Sequence, residues 1–186
     1  MLGGGITYGS LTWVYGQLDL GASVIAQDQA TARTQGSFNK LNLDVARIQV
    51  LPANFTLYGR ISGQATNKNL DSSEKFGLGG AYGVRAYPSG EGFGDRGWLT
   101  QWELRYTINA FTPYAFYDSG RVTINAEPWA AGTNSRSLAG GGFGVRYQQS
   151  GWSVDALLAW RTEGGKPLSD TEDKRPMGWF NLGYKF

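Results

Sequence analysis

Alternation of apolar and polar residues, repeated along most of the chain, limits what this sequence can fold into more than any other feature. In residues 55–64, Phe55, Leu57, Gly59, Ile61 and Gly63 fall on one face, opposite Thr56, Tyr58, Arg60, Ser62 and Gln64. In residues 98–106, Trp98, Thr100, Trp102, Leu104 and Tyr106 oppose Leu99, Gln101, Glu103 and Arg105. The same period runs through 139–148, 153–161 and 179–186. Period two sends successive side chains to opposite faces of a β-strand. In all five segments the apolar face carries no charge. Residues 21–37 differ: they are rich in Ala and Gln, lack an apolar stripe, and read as a linker or surface excursion.

Alternation fits two architectures. A soluble antiparallel sandwich or barrel buries one face and wets the other. A membrane barrel turns the apolar face to lipid and the polar face to its lumen. The longest apolar run is five residues, 156–160, far short of the roughly 20 that a membrane-spanning helix needs. An aromatic content of 14% argues against disorder. Strand lengths of about 9–11 residues suit a tilted membrane crossing. Trp13, Trp98, Tyr106, Tyr147, Trp152, Trp160, Trp179 and Tyr184 lie near strand ends, as interfacial aromatic belts do. The polar faces mix Gly, Asn, Gln and paired charges, a poor core for a small soluble barrel. The membrane reading is favoured, and the fold class expected is an all-β transmembrane antiparallel β-barrel.

Nine candidate strands follow: 5–18, 39–50, 54–65, 75–84, 98–108, 112–124, 137–149, 152–161 and 178–186. In 39–50 the apolar face Leu41, Leu43, Val45 runs on into Arg47 and Gln49, so a bulge or an early strand end is expected. In 112–124, Tyr114 and Phe116 share a face with Asp118, so all three are luminal if Asp118 is. Connections at 51–53, 109–111 and 149–151 are short. Those at 85–97, 125–136 and 162–177 are long and rich in Gly, Pro and polar residues, as in barrels with short turns on one side and long loops on the other.

The chain contains neither Cys nor His, which removes disulfides, thiolate catalysis, zinc fingers and imidazole bases. A net charge of +2 is too mild to point to nucleic acid. Asp71, Glu74 and Asp95 form no tight carboxylate cluster, and no metal, cofactor or catalytic role is expected. Gly77-x-Gly79-Gly80 and Gly140-Gly141-Gly142 neither open a helix nor precede Lys-Ser or Lys-Thr, so they are not phosphate cradles. They read as close-packed wall, where a loop can lie against the sheet.

Residues 71–106 resemble the signature region of the outer-membrane transporters of two-partner secretion, the haemolysin-activator or haemagglutinin-transporter family of the BamA-like superfamily. The residues that carry the resemblance are Val84-Arg85-Ala86-Tyr87, where the family has Val-Arg-Gly-Tyr/Phe, and Phe116-Tyr117-Asp118-Ser119-Gly120, which matches Phe-x-Asp-x-Gly. Ser72-Ser73-Glu74, Gly79-Gly80 and Gly94-Asp95-x-Gly97 also resemble the family, and the closing 179–186 resembles the signal read by the outer-membrane insertion machinery. Ala86 departs from the pattern; where that position needs a positive φ or a close backbone approach, Ala is unfavourable.

The resemblance implies that residues 1–186 are the C-terminal portion of a sixteen-strand barrel, about nine strands counted as eight to sixteen. A loop folded into the lumen would bring Arg85 to Asp118. Phe180, Leu182, Tyr184 and Phe186 would face lipid and form the insertion signal. The family also has a signal peptide, a plug helix and two POTRA domains, none of which is recognisable here, so a C-terminal fragment with an open sheet is expected. Implied partners are a secreted exoprotein, outer-membrane lipid and lipopolysaccharide, the barrel assembly machinery, and the missing N-terminal strands and POTRA domains. The implied location is the bacterial outer membrane.

Each site residue has a plainer reading. Arg85 is either the lock on Asp118 or a solvated loop residue. Tyr87 and Phe93 either pack the loop tip on the wall or are interfacial aromatics. Glu103 and Arg105 either join the network or line a pore. The implied function is outer-membrane translocation of a partner protein, without ATP or covalent chemistry. The alternatives are a barrel of the BamA or TamA assembly type, and a passive porin or soluble ligand-binding barrel.

Overall fold

The structure, a computed structural model, describes residues 4–186. Eight strands form one antiparallel sheet: β1 (Gly5–Leu18), β2 (Gly36–Val50), β3 (Phe55–Thr66), β6 (Arg96–Tyr106), β7 (Phe111–Thr123), β8 (Ser135–Gln149), β9 (Trp152–Glu163) and β10 (Met177–Tyr184). Neighbours in sequence are neighbours in the sheet except where β3 pairs with β6. The insertion between them holds a 3-10 turn (Ser72–Glu74) and the two-residue strands β4 (Phe76–Gly77) and β5 (Phe93–Gly94), which pair with each other. Among the described residues β1 and β10 each have one strand neighbour, so the sheet is open, as expected of part of a barrel.

Three expectations are corrected. Residues 75–84 are not a wall strand; only Phe76 and Gly77 pair as strand, and the rest turns inward. Its apolar positions, Leu78 and Val84, pack against the inner face of the sheet instead of continuing it. The sheet therefore has eight wall strands. Among the described residues that is one strand fewer than the nine expected. Second, 21–37 contains a helix, α1 (Ala22–Ala30). Ala and Gln favour helix without an apolar stripe, and hydrogen bonds from the segment that follows hold its C-terminal end. The Asp28 carboxylate accepts hydrogen bonds from the amides of Thr34 (2.9 Å) and Gln35 (3.0 Å) and from the Thr34 hydroxyl (2.7 Å).

Third, β2 runs to Val50 without a bulge. Arg47 and Gln49 lie on its outward face near the short turn, and Arg47 donates to Thr7 Oγ1 at 2.8 Å. A long side chain at the membrane boundary can lay its stem along apolar surface and keep its head polar, so no strand end is required. The register shift falls at Ala139/Gly140 in the β8–β9 pairing, where Thr162 is passed over.

Short and long connections segregate to opposite ends of the sheet. Ser150 (φ 52°) and Gly151 (φ 83°) make a two-residue hairpin turn with both φ positive, the geometry whose twist matches that of the flanking strands. The two faces differ sharply. The outward face displays Leu11, Trp13, Trp98, Trp102, Phe143, Leu182 and Phe180, the last 70% exposed. The buried core lies on the concave face, between the wall and the 78–92 segment. It comprises Leu78, Val84, Ala86 and Tyr87 from that segment and Leu99, Tyr114, Phe116, Val122, Leu138 and Ala159 from the wall. An outward belt of large apolar side chains and a core closed only by an inserted loop are what a lipid-facing wall requires.

Candidate functional site

Residues 78–92 leave the β4–β5 ladder and fold over the inner wall. Gly92, at φ +70°, turns the returning chain back toward β5. Within the segment, Val84 N–H donates to the Leu78 carbonyl (2.7 Å) and Tyr87 N–H to the Val84 carbonyl (3.1 Å), so the tip is a compact double turn. Side chains are missing from the wall where the tip approaches. A Cβ added at Gly120 would lie 2.7 Å from Leu78 Cδ2, and one added at Gly140 would lie 2.3 Å from the Ala86 Cβ. Ala86 has an ordinary negative φ. Its methyl is accommodated because position 140 has none, so alanine fits here.

Arg85, 3% exposed, is the centre of the tip. Its Nε and Nη2 donate to the two oxygens of Asp118 at 2.8 and 2.7 Å, and its own backbone N–H reaches Asp118 Oδ2 at 3.1 Å. Its Nη1 donates to Glu103, and its guanidinium lies 3.7 Å over the Phe116 ring. Planarity makes this arrangement specific: a guanidinium presents a fork to a carboxylate while stacking flat on a ring. Asp118 has no exposed surface, and among the described residues all of its donors belong to Arg85.

Glu103 is shared. Arg105 Nε (2.7 Å) and Arg146 Nη1 (2.9 Å) bind its Oε2 from the wall. Arg146 also donates to Asp155 (2.9 Å), which accepts the Tyr114 hydroxyl at 2.7 Å. Three guanidinium groups, from Arg85, Arg105 and Arg146, thus face three carboxylates, Asp118, Glu103 and Asp155. Charge balance and full hydrogen bonding allow ions to be buried without a large net desolvation penalty.

The structure brings Val84, Arg85, Ala86, Tyr87, Glu103, Arg105, Phe116, Asp118 and Gly120 into one site. Tyr87 is fully buried, with its hydroxyl donating to the carbonyls of Glu163 (2.6 Å) and Gly165 (2.9 Å). Phe93, by contrast, is half exposed and rests over Gly77, away from the tip. Asp95 is a structural tie: it pairs with Lys75 at 2.8 Å and accepts the Leu70 and Ala126 amides. Asp71 caps the Ser72–Glu74 turn and Glu74 pairs with Lys40 at 2.6 Å. Among the described residues no group of three or more acidic side chains is placed to hold a metal ion. Phe180, Leu182, Tyr184 and Phe186 face outward, away from the site.

Two groups escaped the sequence reading. Trp179 lies near a strand end as belt aromatics do, but its ring faces inward and its Nε1–H donates to the Arg85 carbonyl at 2.8 Å. Its phase, opposite Phe180 and Leu182, already carried that signal. Arg146 and Asp155 are directly paired across β8 and β9, which follows from period two once the turn is fixed at Ser150-Gly151.

Glu91 forms a second anchor at the long-loop end. Arg136 binds one carboxylate oxygen (2.7 and 3.0 Å), and the amides of Leu168 and Ser169 bind the other (2.7 and 2.9 Å). Burial alone pushes the Glu91 pKa up; the Ser169 amide, Arg136 and the Leu168 amide outweigh it and hold the pKa below the ordinary 4.5. A carboxyl with a depressed folded pKa adds stability above its unfolded pKa and loses it as pH falls through the folded value. Hydrogen-exchange protection factors at Leu168 and Ser169 are therefore expected to hold at neutral pH and fall once pH drops below that folded value. Glu91→Gln should lower them at neutral pH and flatten the profile; an unchanged wild-type profile down to pH 2 would refute the anchor.

Known proteins resemble this chain in sequence and in fold. The profile of the family described as haemolysin secretion/activation protein ShlB/FhaC/HecB matches residues 1–147. The heme/hemopexin transporter protein HuxB of Haemophilus influenzae strain 86-028NP is 30% identical over 182 residues, covering 91% of this chain and 31% of that protein. HuxB from strain Rd is 31% identical over 176 residues, covering 89% and 30%. The structure of CdiB from Acinetobacter baumannii shares the fold, with a TM-score of 0.55 at 20% identity, over 97% of this chain and 38% of that one. The chain thus spans about a third of the length of these relatives.

Proposed function

This chain belongs to the haemolysin secretion/activation protein family of outer-membrane transporters, and from that premise we propose that it is the C-terminal wall and lumenal lid of a barrel that moves a secreted partner protein across the outer membrane. The observation that carries the reading is the 78–92 segment. It fills the concave face of a lipid-compatible sheet and is attached through side-chain hydrogen bonds, ring stacking and a glycine floor. A segment held this way can withdraw as a unit and leave the wall strands fully paired, because it contributes nothing to their ladder.

The work done is transport, not catalysis. The polar inner wall passes an unfolded chain, and Arg85, Asp118 and Glu103 set the depth of the lid. Outer-membrane lipid and lipopolysaccharide surround the apolar belt, the assembly machinery inserts the barrel through its closing strand, and the remaining strands and periplasmic domains come from the rest of the full-length protein. No cofactor takes part.

The test compares proteins in the culture medium with and without the full-length protein. One partner protein should vanish from the medium when the transporter is deleted, accumulate in the periplasm, and return on complementation. An unchanged set of released proteins would overturn the reading.

A further inference from the structure

We propose that the wall site beneath the lid is a receptor for one arginyl residue of a polypeptide in the lumen, which Arg85 occupies while the lid is closed. This inference rests on the translocation reading above. Each of its three guanidinium nitrogens, its amide and its carbonyl has a partner, and each partner belongs to the wall. Asp118 on β7 takes the backbone N–H (3.1 Å) and two guanidinium donors (2.8 and 2.7 Å). Glu103 on β6 takes the third, and Phe116 on β7 supplies the stacking face at 3.7 Å. Trp179 on β10 donates its indole N–H to the carbonyl of the same residue at 2.8 Å. Three strands thus read an amide, a side chain and a carbonyl that any arginine within a polypeptide carries.

The wall is built for an occupant. With Arg85 withdrawn, Glu103 keeps Arg105 and Arg146, whereas Asp118 loses every donor it has. The remaining wall network then carries three carboxylates against two guanidiniums, one cation short. An ammonium can neutralise that charge, but it can neither fork across both Asp118 oxygens nor stack flat on Phe116. The next position is read as well. Ala86 is 2% exposed and lies so close to the wall that a Cβ on Gly140 would sit 2.3 Å from its own, so the site leaves little room beyond a methyl at the residue after the arginine. A passing polypeptide with an arginine followed by glycine or alanine can therefore take the place of the lid and keep it displaced, whereas other sequence slides past.

The experiment uses the full-length protein in planar lipid bilayers, with Arg85→Ala to empty the receptor. The probes are capped pentapeptides, Gly-Val-Arg-Ala-Gly and its Lys-for-Arg and Leu-for-Ala counterparts. The arginine peptide should block the current at a concentration at least about tenfold lower than either counterpart, a difference of about 1.4 kcal/mol. Adding Asp118→Asn or Trp179→Phe should remove most of that preference. Equal block by all three peptides, or a preference untouched by both substitutions, overturns the proposal. The wild-type protein gives a second measurement if the variant does not fold. There the arginine peptide should compete with Arg85 and increase full-size openings, and equal effects of the arginine and lysine peptides overturn the proposal. Neither measurement needs the secreted partner. Peptide selectivity in a protein that releases no partner would count against translocation alone; translocation without selectivity would count against the receptor alone.

Discussion

Replacing Arg85 with Ala in the full-length protein should lower stability by about 3–5 kcal/mol, the usual loss when a buried charge is left without its partner. Asp118 is fully buried and takes all of its donors from Arg85, so the substitution strands a carboxylate. The reverse change is expected to be milder. Asp118→Ala leaves the Arg85 guanidinium with Glu103 and the Phe116 ring. The double variant should be little worse than Arg85→Ala alone, because the two residues act as one unit. Arg85→Lys should recover only part of the loss, since an ammonium cannot make the planar fork. Heat or denaturant unfolding in detergent gives the four stabilities, and secretion normalised to folded barrel gives the functional counterpart. Fully additive losses would contradict the pairing.

The outward belt sets the second large effect. Phe180→Arg should destabilise the inserted barrel by about 2–4 kcal/mol, as lipid-facing arginine does near the bilayer midplane. Phe180 pairs with Ala156, well inside the β9–β10 ladder, and its ring is exposed on the outward face. Leu182→Arg, one outward position nearer the short-turn end, should lose less. Asn181→Lys should be nearly neutral, because Asn181 faces inward opposite Asp155. Folding into liposomes measured across a urea gradient separates the three. Similar penalties at 180 and 181 would argue against a lipid-facing wall.

How much of this was legible in the sequence depended on whether a residue's environment is set by its neighbours in the chain or across space. Strand phase is local, so alternation alone puts Glu103 with Arg105 on one face of β6 and Tyr114, Phe116 and Asp118 together on one face of β7. The Arg146–Asp155 pair follows from phase and one turn. The Arg85–Asp118 contact spans 33 residues and came from the resemblance, since no period links a loop tip to a wall strand. Residues 75–84 misled because Phe76, Leu78 and Val84 look like strand positions; their apolar side chains are satisfied by the inner wall and not by a lipid face. Glu91 gave no signal at all. It sits in a Gly-rich turn, and its partners, Arg136 and the Leu168 and Ser169 amides, lie 45 to 78 residues away.

The position of the buried core has a consequence for how such a protein can evolve. Ordinarily the contacts that keep a domain folded and those that carry its activity are different sets, and one can be strengthened without affecting the other. Here Leu78, Val84, Ala86 and Tyr87 supply the stabilising apolar contacts and, under the proposed function, also stand in the passage. A substitution that tightens that packing yields a hardier barrel and a slower gate in the same stroke. Selection for throughput would therefore oppose any further tightening of this interior, and leave gains in durability to the lipid-facing belt, the hairpin turns and the outer loops.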